Sequence, residues 1–317
     1  MTPKDREILR GRAREKSILD VHWLAQDFQV EPEFQKYYQN YLRGGLHRDL
    51  HYLENTAVKF APEKIFEPIG SIAVLPVPYV RRETEENLKK SRWRLSRFAW
   101  GRDYHHVIKE QLAQIFTGYE PFRTVVDSTP LPERYLARRA GVGFRGKNSM
   151  IIHPKWGSYF FLSFVFLEAT LSEKSQAGEP GLPDDPAEDM ARFCGECDLC
   201  VRACPGGALD GTGLLDCNKC YSYWSIENRD AAIGLTPLPG KSWGNRIYGC
   251  DICQEVCPYN RESESHDALG DFAPTPETTS LAGGEIPEVS RRRREGLSAG
   301  RGWKNLQRNI RYVTENR

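Results

Sequence analysis

The chain has 317 residues, with 44 Lys and Arg against 43 Asp and Glu and a net charge of +1. That balance excludes a polycation, so any contact with nucleic acid must be local. Hydrophobic residues at 39% and 27 glycines give a globular composition and exclude a disordered chain. No apolar run approaches the roughly 18 residues of a membrane-spanning helix. The charged start, Met1-Thr-Pro-Lys-Asp-Arg6, has no apolar leader core, so a soluble, cytoplasmic protein is expected. The length suggests about two domains.

Taken in chain order, Asp20-Val-His22-Trp-Leu-Ala25 reads as a surface helix. Ser71-Ile-Ala-Val-Leu-Pro-Val-Pro-Tyr79 reads as a buried strand whose prolines confine its end to an edge or turn. Ile108, Leu112, Ile115 and Phe116 recur at helical spacing behind Gly101-Arg-Asp-Tyr-His105, which predicts a helix starting there. His105 and His106 read as capping or core histidines. Phe122-Arg-Thr-Val-Val126 predicts a strand ending at Asp127, and Ser128-Thr-Pro130 predicts a helix running on through Arg139. Met150-Ile-Ile152 and Ser158 to Val165 are strand-like. Strands alternating with helices predict an α/β domain, and Ser175 to Asp189, rich in Gly, Pro and acids, predicts a linker.

Asp127 stands at a strand end before a helix, where open α/β sheets place ligands. A helix cap is the simpler role for an Asp in that position. Gly141-Val-Gly143-Phe-Arg-Gly146 spells G-x-G-x-x-G. It follows a helix and leads into a strand, the reverse of a dinucleotide site. Its glycines suit close approach of a bulky flat ligand, with Lys147 and Asn148 as polar groups beside it.

All nine cysteines lie between positions 194 and 257. Cys194-Gly-Glu-Cys197-Asp-Leu-Cys200-Val-Arg-Ala-Cys204-Pro205 is the C-x2-C-x2-C-x3-C-P run of bacterial ferredoxins, whose fourth Cys serves a second cluster. Cys250-Asp-Ile-Cys253-Gln-Glu-Val-Cys257-Pro258 repeats its latter part. With crossed ligands, Cys194, Cys197, Cys200 and Cys257 hold one 4Fe–4S cluster. Cys204, Cys250 and Cys253 hold the other, with Cys217 or Cys220 as the fourth ligand. Zinc also accepts paired C-x2-C motifs, but the crossed spacing favours iron–sulfur.

The tail has its own character. Residues 291–317 hold nine Arg and Lys against two Glu. Trp303, Leu306, Ile310 and Val313 form an apolar stripe, and Arg301, Lys304, Arg308 and Arg311 a basic one. This predicts a helix docked on the body with its basic face toward phosphate.

Several segments together resemble the epoxyqueuosine reductases, cobalamin-dependent iron–sulfur enzymes of queuosine synthesis in tRNA. They are Gly101 to His105, Val126-Asp-Ser-Thr-Pro-Leu-Pro-Glu-Arg134, Gly141 to Asn148 and Gly157-Ser-Tyr-Phe-Phe-Leu162. The set continues with the Cys194 run, Cys220-Tyr-Ser-Tyr-Trp-Ser-Ile-Glu227 and Gly249 to Pro258. The resemblance covers residues 95–260 well and 40–95 loosely, and the first forty residues match poorly.

The resemblance implies an α/β N-terminal cobalamin-binding domain over 1–174 and a ferredoxin-like domain with two 4Fe–4S clusters over 185–265. A short, basic, helical C-terminal segment over 266–317 completes the chain. It implies Asp127 as proton donor, which needs a desolvated setting to hold its proton. Asn148, Ile151 and Leu162 are expected to line the cobalamin, with Cys250-Asp251 approaching the corrin from the cluster side. It selects Cys220 over Cys217 as the cluster ligand.

The implied partners are tRNA carrying epoxyqueuosine at the anticodon wobble position and an external low-potential electron donor, with no membrane. A monomer is expected, since no coiled coil or long exposed apolar stripe is present. The rival expectations are a corrinoid reductive dehalogenase, a ferredoxin-type electron-transfer protein and a flavin-linked reductase.

Overall fold

The computed structural model describes residues 1–25, 27–172, 186–228, 244–261 and 268–315. Its strands are β1 (His22–Ala25), β2 (Ser71–Pro78), β3 (Arg94–Leu95), β4 (Phe122–Val125), β5 (Phe144–Arg145), β6 (Ile151–Ile152), β7 (Phe160–Leu167) and β8 (Arg246–Tyr248). Four of them form the main sheet in the order β1-β2-β7-β4. Every pairing in it is antiparallel. The expected α/β domain is therefore an α+β one.

Burial on both faces explains the difference. One face of β2 and β7 (Ala73, Leu75, Val77, Val165, Leu167) packs on the helices Pro3–Glu15 and Tyr104–Ile115 through Leu9, Ala13, Ile108 and Leu112. The other face (Ile72, Val74, Phe164, Phe166) packs on the helix Glu133–Arg139 through Tyr135 and Leu136. Strands covered on both sides read as unbroken apolar runs, the same signature that parallel strands give.

β1 occupies the segment expected to be a surface helix, with Trp23 and Leu24 buried. It pairs only with Ser71–Val74. The prolines of β2, Pro76 and Pro78, thus lie where one flank of the strand has no neighbour from β1, as proline requires. The helix expected from Ser128 begins only at Glu133. Pro130 and Pro132 push Thr129 and Leu131 out of the helical region, which delays the start.

A second core joins pieces far apart in sequence. Trp93, Leu95 and Trp100 meet Tyr221, Trp224, Ile247 and Tyr248, and all pack against Trp303, Leu306, Ile310 and Val313 of the helix Trp303–Glu315. The apolar stripe of the tail therefore docks as expected. Its basic stripe is divided. Arg301, Lys304 and Arg311 are exposed, but Arg308 donates to the Asn228 carbonyl at 2.7 Å and to the Trp224 carbonyl at 2.9 Å. Arg308 caps the end of a turn and does not face solvent phosphate. The expected linker lies outside the described residues over 175–185, and Pro186–Asp189 is one helical turn.

Asn309 is fully buried and donates to the carbonyls of Ser225 at 2.9 Å and Ile247 at 2.7 Å. It fastens the tail helix to the Tyr223–Glu227 turn and to β8. Replacing it by Leu strands two buried carbonyls, at about 1–3 kcal/mol each. We expect Asn309→Leu to raise amide hydrogen exchange across 303–313 by at least tenfold and leave exchange in β2 and β7 unchanged; uniform protection would refute this.

Candidate active site

The cysteines are carried on short elements that cannot bury a core of their own: a wide turn at Met190–Cys194, the helix Leu199–Ala203, a turn at Cys217–Lys219, and the helix Ile252–Glu255. All nine are free thiols. Their mutual repulsion sorts them. Cys200 is pushed up to about 11 by burial and by Cys194, Cys257 and Cys197. Cys257 is raised by burial and by Cys194 and Cys197.

Cys253 is raised by burial and by Cys250, Cys220 and Cys204. Cys250 is pushed up to about 12 by burial, with Cys220 adding to it. These neighbours run along the lines of the two expected sets, although among the described residues no three Cys, His, Asp or Glu stand close enough together to hold a metal ion. Several thiols packed out of water cannot ionise together without a compensating cation, and the iron of a cluster supplies one. The donor set fits. Cys217 is buried within 3.4 Å of the Tyr41 hydroxyl and also raises Cys220, ahead of Cys204.

Asp127 follows β4 and takes a left-handed conformation, φ 44°. It caps no helix, since the helix starts six residues later, so the cap role is overturned. The Tyr104 hydroxyl donates to Asp127 Oδ2 at 2.5 Å, and His105 Nε2 lies 3.9 Å from the same oxygen. Tyr104 is clamped between His105, with ring centroids 4.0 Å apart, and Phe161 at 4.1 Å. His105 Nδ1 is 2.7 Å from the Asp103 carboxylate, which also caps the helix by accepting from the His105 N–H. Asp103 is held below the usual range despite burial, through its hydrogen bonds with His105.

Asp127 is 63% exposed, so the desolvated setting expected for it is absent. A neighbour has it. Glu133 accepts from the Asp127 N–H at 3.2 Å. Crowding out of water, with the Asp127 charge beside it, pushes Glu133 up to about 8. Close by, burial lowers Lys59 to about 8, against the pull of Glu133. Tyr104 and Glu133 escaped the residue-by-residue reading because a Tyr and a Glu at helix starts are unremarkable. Only their place in the Gly101–His105 and Val126–Arg134 segments marks them.

Tyr52 is an exposed aromatic in this part of the fold. It is 58% exposed, yet burial among neighbours raises its phenol, with Glu227, Asp127 and Cys217 adding to the shift. Asp127, Cys217 and Glu227 thus all lie within electrostatic reach of the Tyr52 hydroxyl.

The other expected contacts are placed as follows. Ile151 is buried and Leu162 half-buried on the same side of the sheet as Val125. The buried Asn148 reaches the Cys253 carbonyl at 3.3 Å. Lys147 donates to the carbonyls of Gly195 and Cys197 at 2.6 and 3.1 Å, so it serves the cluster loop and not a flat ligand. The Asp251 carboxylate is engaged elsewhere too: it accepts from the Ser96 hydroxyl, from the Arg97 N–H at 2.8 Å and from its guanidinium at 3.2 Å. As a corrin contact that carboxylate is already occupied.

Residues 193–260 match the 4Fe-4S double cluster binding domain, which places the chain in the class of two-cluster iron–sulfur proteins. Residues 59–128 match the family described as epoxyqueuosine reductase QueG, DUF1730. An epoxyqueuosine reductase of Cyclobacterium marinum is 33% identical over 287 residues, covering 87% of this chain and 86% of the relative. That of Francisella cf. novicida is 36% identical over 243 residues, covering 72% of this chain and 63% of the relative. The chain thus spans under two thirds of one relative and most of the other.

Among solved structures, an epoxyqueuosine reductase with an epoxyqueuosine-modified tRNA-Tyr stem loop superimposes with a TM-score of 0.71 at 26% identity, covering 98% of this chain and 80% of the other. The reductase of Bacillus subtilis gives 0.70 at 26% identity, covering 98% and 81%. The chain belongs to the epoxyqueuosine reductase family. Among the described residues, no helix is long and apolar enough to cross a membrane.

The raised Glu133 has a consequence for stability. Its folded value lies above the ordinary 4.5, so its contribution is fully present below that pH and is lost as pH rises through about 8. Glu133→Gln keeps an acceptor for the Asp127 N–H and removes the ionisation. We expect its thermal midpoint to match wild type near about pH 5 and exceed it above about pH 8. Parallel pH profiles for the two proteins would count against a buried, proton-holding Glu133.

Proposed function

We propose that this chain reduces the epoxide of epoxyqueuosine in tRNA to the alkene of queuosine, taking electrons from an external low-potential donor through two 4Fe–4S clusters. The carrying observation is that Tyr104 and His105 converge on the exposed Asp127 carboxyl at the end of β4. Membership in the family supports the reaction, and the double-cluster match supports the relay.

The reaction removes one oxygen. Both of its C–O bonds break, a C=C bond forms, and the oxygen leaves as water after taking up two protons and two electrons. Cobalamin, when bound, supplies a metal centre able to store electrons and act on carbon. In our reading Asn148, Ile151 and Leu162 would hold it, with Leu162 offering apolar surface and Asn148 tied to the Cys253 carbonyl. Cys194, Cys197, Cys200 and Cys257 bind one cluster, and Cys204, Cys220, Cys250 and Cys253 the other. On this reading residues 1–174 form the cobalamin-binding domain, 185–265 the cluster domain and 266–317 the basic tail.

Asp127 gives a proton to the departing oxygen. Tyr104, donating to Asp127 Oδ2, fixes which carboxyl oxygen faces the substrate and stabilises the carboxylate left behind. Phe161 and His105 lock the Tyr104 ring in place. Glu133 fixes the Asp127 backbone through its N–H. His105, with its Nδ1 held by Asp103, presents Nε2 toward Asp127 and can return a proton to it.

The test is anaerobic incubation of the reconstituted protein with cobalamin, a strong reductant and epoxyqueuosine-containing tRNA, followed by nucleoside analysis. Queuosine should form only when both cofactors are present; its absence with both verified as bound would refute the reading. Asp127→Ala should keep iron and corrinoid and lose about 10²- to 10⁴-fold in turnover, the usual worth of a positioned acid. Cys220→Ser should lose roughly half the iron, the share of one cluster of two, whereas Cys217→Ser should retain it. The reverse outcome would make Cys217 the ligand.

A further inference from the structure

We infer that the arginine helix 291–295, together with Arg102 and Arg301, forms a docking surface for the sugar–phosphate backbone of an RNA stem. This rests on the proposed tRNA substrate and identifies where its phosphates sit. The first observation is charge. Arg291, Arg292, Arg293 and Arg294 are consecutive, and the first three side chains are exposed.

Surface pairing leaves most of this charge available. Arg291 meets Glu295 at 2.8 Å and Arg293 meets Glu277 at 2.7 Å, exchangeable contacts worth little in water. Arg292 has no hydrogen bond or ion pair among the described residues. Arg301 is 63% exposed, with only the Asp103 carboxylate at 3.8 Å.

The second observation is shape. A cleft of about 740 Å³ separates this helix from the 270–276 segment, and Arg102, Arg292, Arg293, Ser290 and Thr275 line it. Asp271 also lines the cleft and pairs with Arg102, an exposed pair that a phosphate can exchange; the Arg292 and Arg293 guanidinium groups and the hydroxyls beside them suit phosphate oxygens, which Arg grips bidentately.

The third observation is where the surface is fixed. The Asp103 N–H donates to the Gly296 carbonyl at 2.9 Å, and the Ser298 hydroxyl donates to the Arg102 carbonyl at 2.7 Å. Arg102 and Leu297 form an isolated antiparallel bridge. A Cβ on Gly300 would run into the Arg294 carbonyl, so the loop closes tightly behind the helix. The arginines are therefore held against residues 101–103, and the next two residues, Tyr104 and His105, contact Asp127. A membrane surface or an acidic peptide would gain nothing from that adjacency. An RNA stem carrying the reactive base at its loop would have its backbone held next to the segment that contacts Asp127.

The test is fluorescence anisotropy of the reconstituted full chain with a labelled, unmodified anticodon stem-loop RNA across a salt series. It compares wild type, Arg292→Glu with Arg293→Glu, and Arg292→Lys with Arg293→Lys. The Glu variant should bind at least tenfold more weakly, with the slope of log Kd against log salt reduced by about 1 per arginine. The Lys variant should keep most of the affinity. Iron content and circular dichroism should match throughout.

Equal affinity and slope in all three overturns the inference, even if epoxide turnover is intact. So does arginine-dependent binding to phosphatidylserine vesicles without binding to RNA. Arginine-dependent RNA binding by a protein that forms no queuosine upholds the surface while refuting the reductase reading.

Discussion

The site depends on one buried ionic knot. The Arg97 guanidinium, 10% exposed, reaches Asp251 at 3.2 Å, Glu255 at 2.8 Å and Glu85 at 2.5 Å, and lies over the Tyr159 ring at 5.1 Å. Glu85 and Tyr159 belong to the sheet-bearing part. Asp251 and Glu255 sit between and beside the cysteines at 250 and 253. One planar cation thus sets the angle at which the second thiol set faces the sheet. Such a knot adds little net stability over an apolar packing, but removing one partner leaves charge stranded out of water. Its contribution is orientation. The Ser96–Asp251 bond, the pairing of β3 with β8 and the Asn148 contact with Cys253 extend the same junction.

How much of this was legible in the sequence follows the range of each interaction. The cysteine runs announce their pairing because cluster ligation imposes spacing on the chain itself. The stripe Trp303, Leu306, Ile310, Val313 announces a docked helix because helical period is local. The antiparallel order of the sheet left no local mark, since both faces of β2 and β7 are covered. Asp251 was misjudged for a related reason: position beside Cys250 says where its backbone goes, whereas the partner that claims its carboxylate, Arg97, lies 154 residues away. The β1 segment was misread because four residues are too few for period to separate strand from helix.

The tail shows how a uniform run of charge is divided by packing. Arg308 turns inward to carbonyls at the end of a turn. Arg301, on the preceding loop, stays at the surface beside Asp103. Counting nine cations gives the field; only the fold says which ones a ligand can meet. The chain's near-neutral total follows from the same arrangement, since the acids elsewhere leave the basic end as a local feature that attracts phosphate without making the whole surface adhesive.

Asp127 and Glu133 then divide a task that one residue would perform poorly. A carboxyl able to reach a bulky substrate must be exposed, and exposure gives up the desolvation that helps an acid keep its proton. Here the exposed acid is aimed by Tyr104 and backed by His105, while the crowded acid beside it takes the desolvation. The Asp127 charge raises the cost of ionising Glu133, so the proton is held on the crowded acid beside it. The left-handed backbone at Asp127, which a non-glycine residue adopts only at some cost, is what carries the carboxyl out of the strand line to the surface.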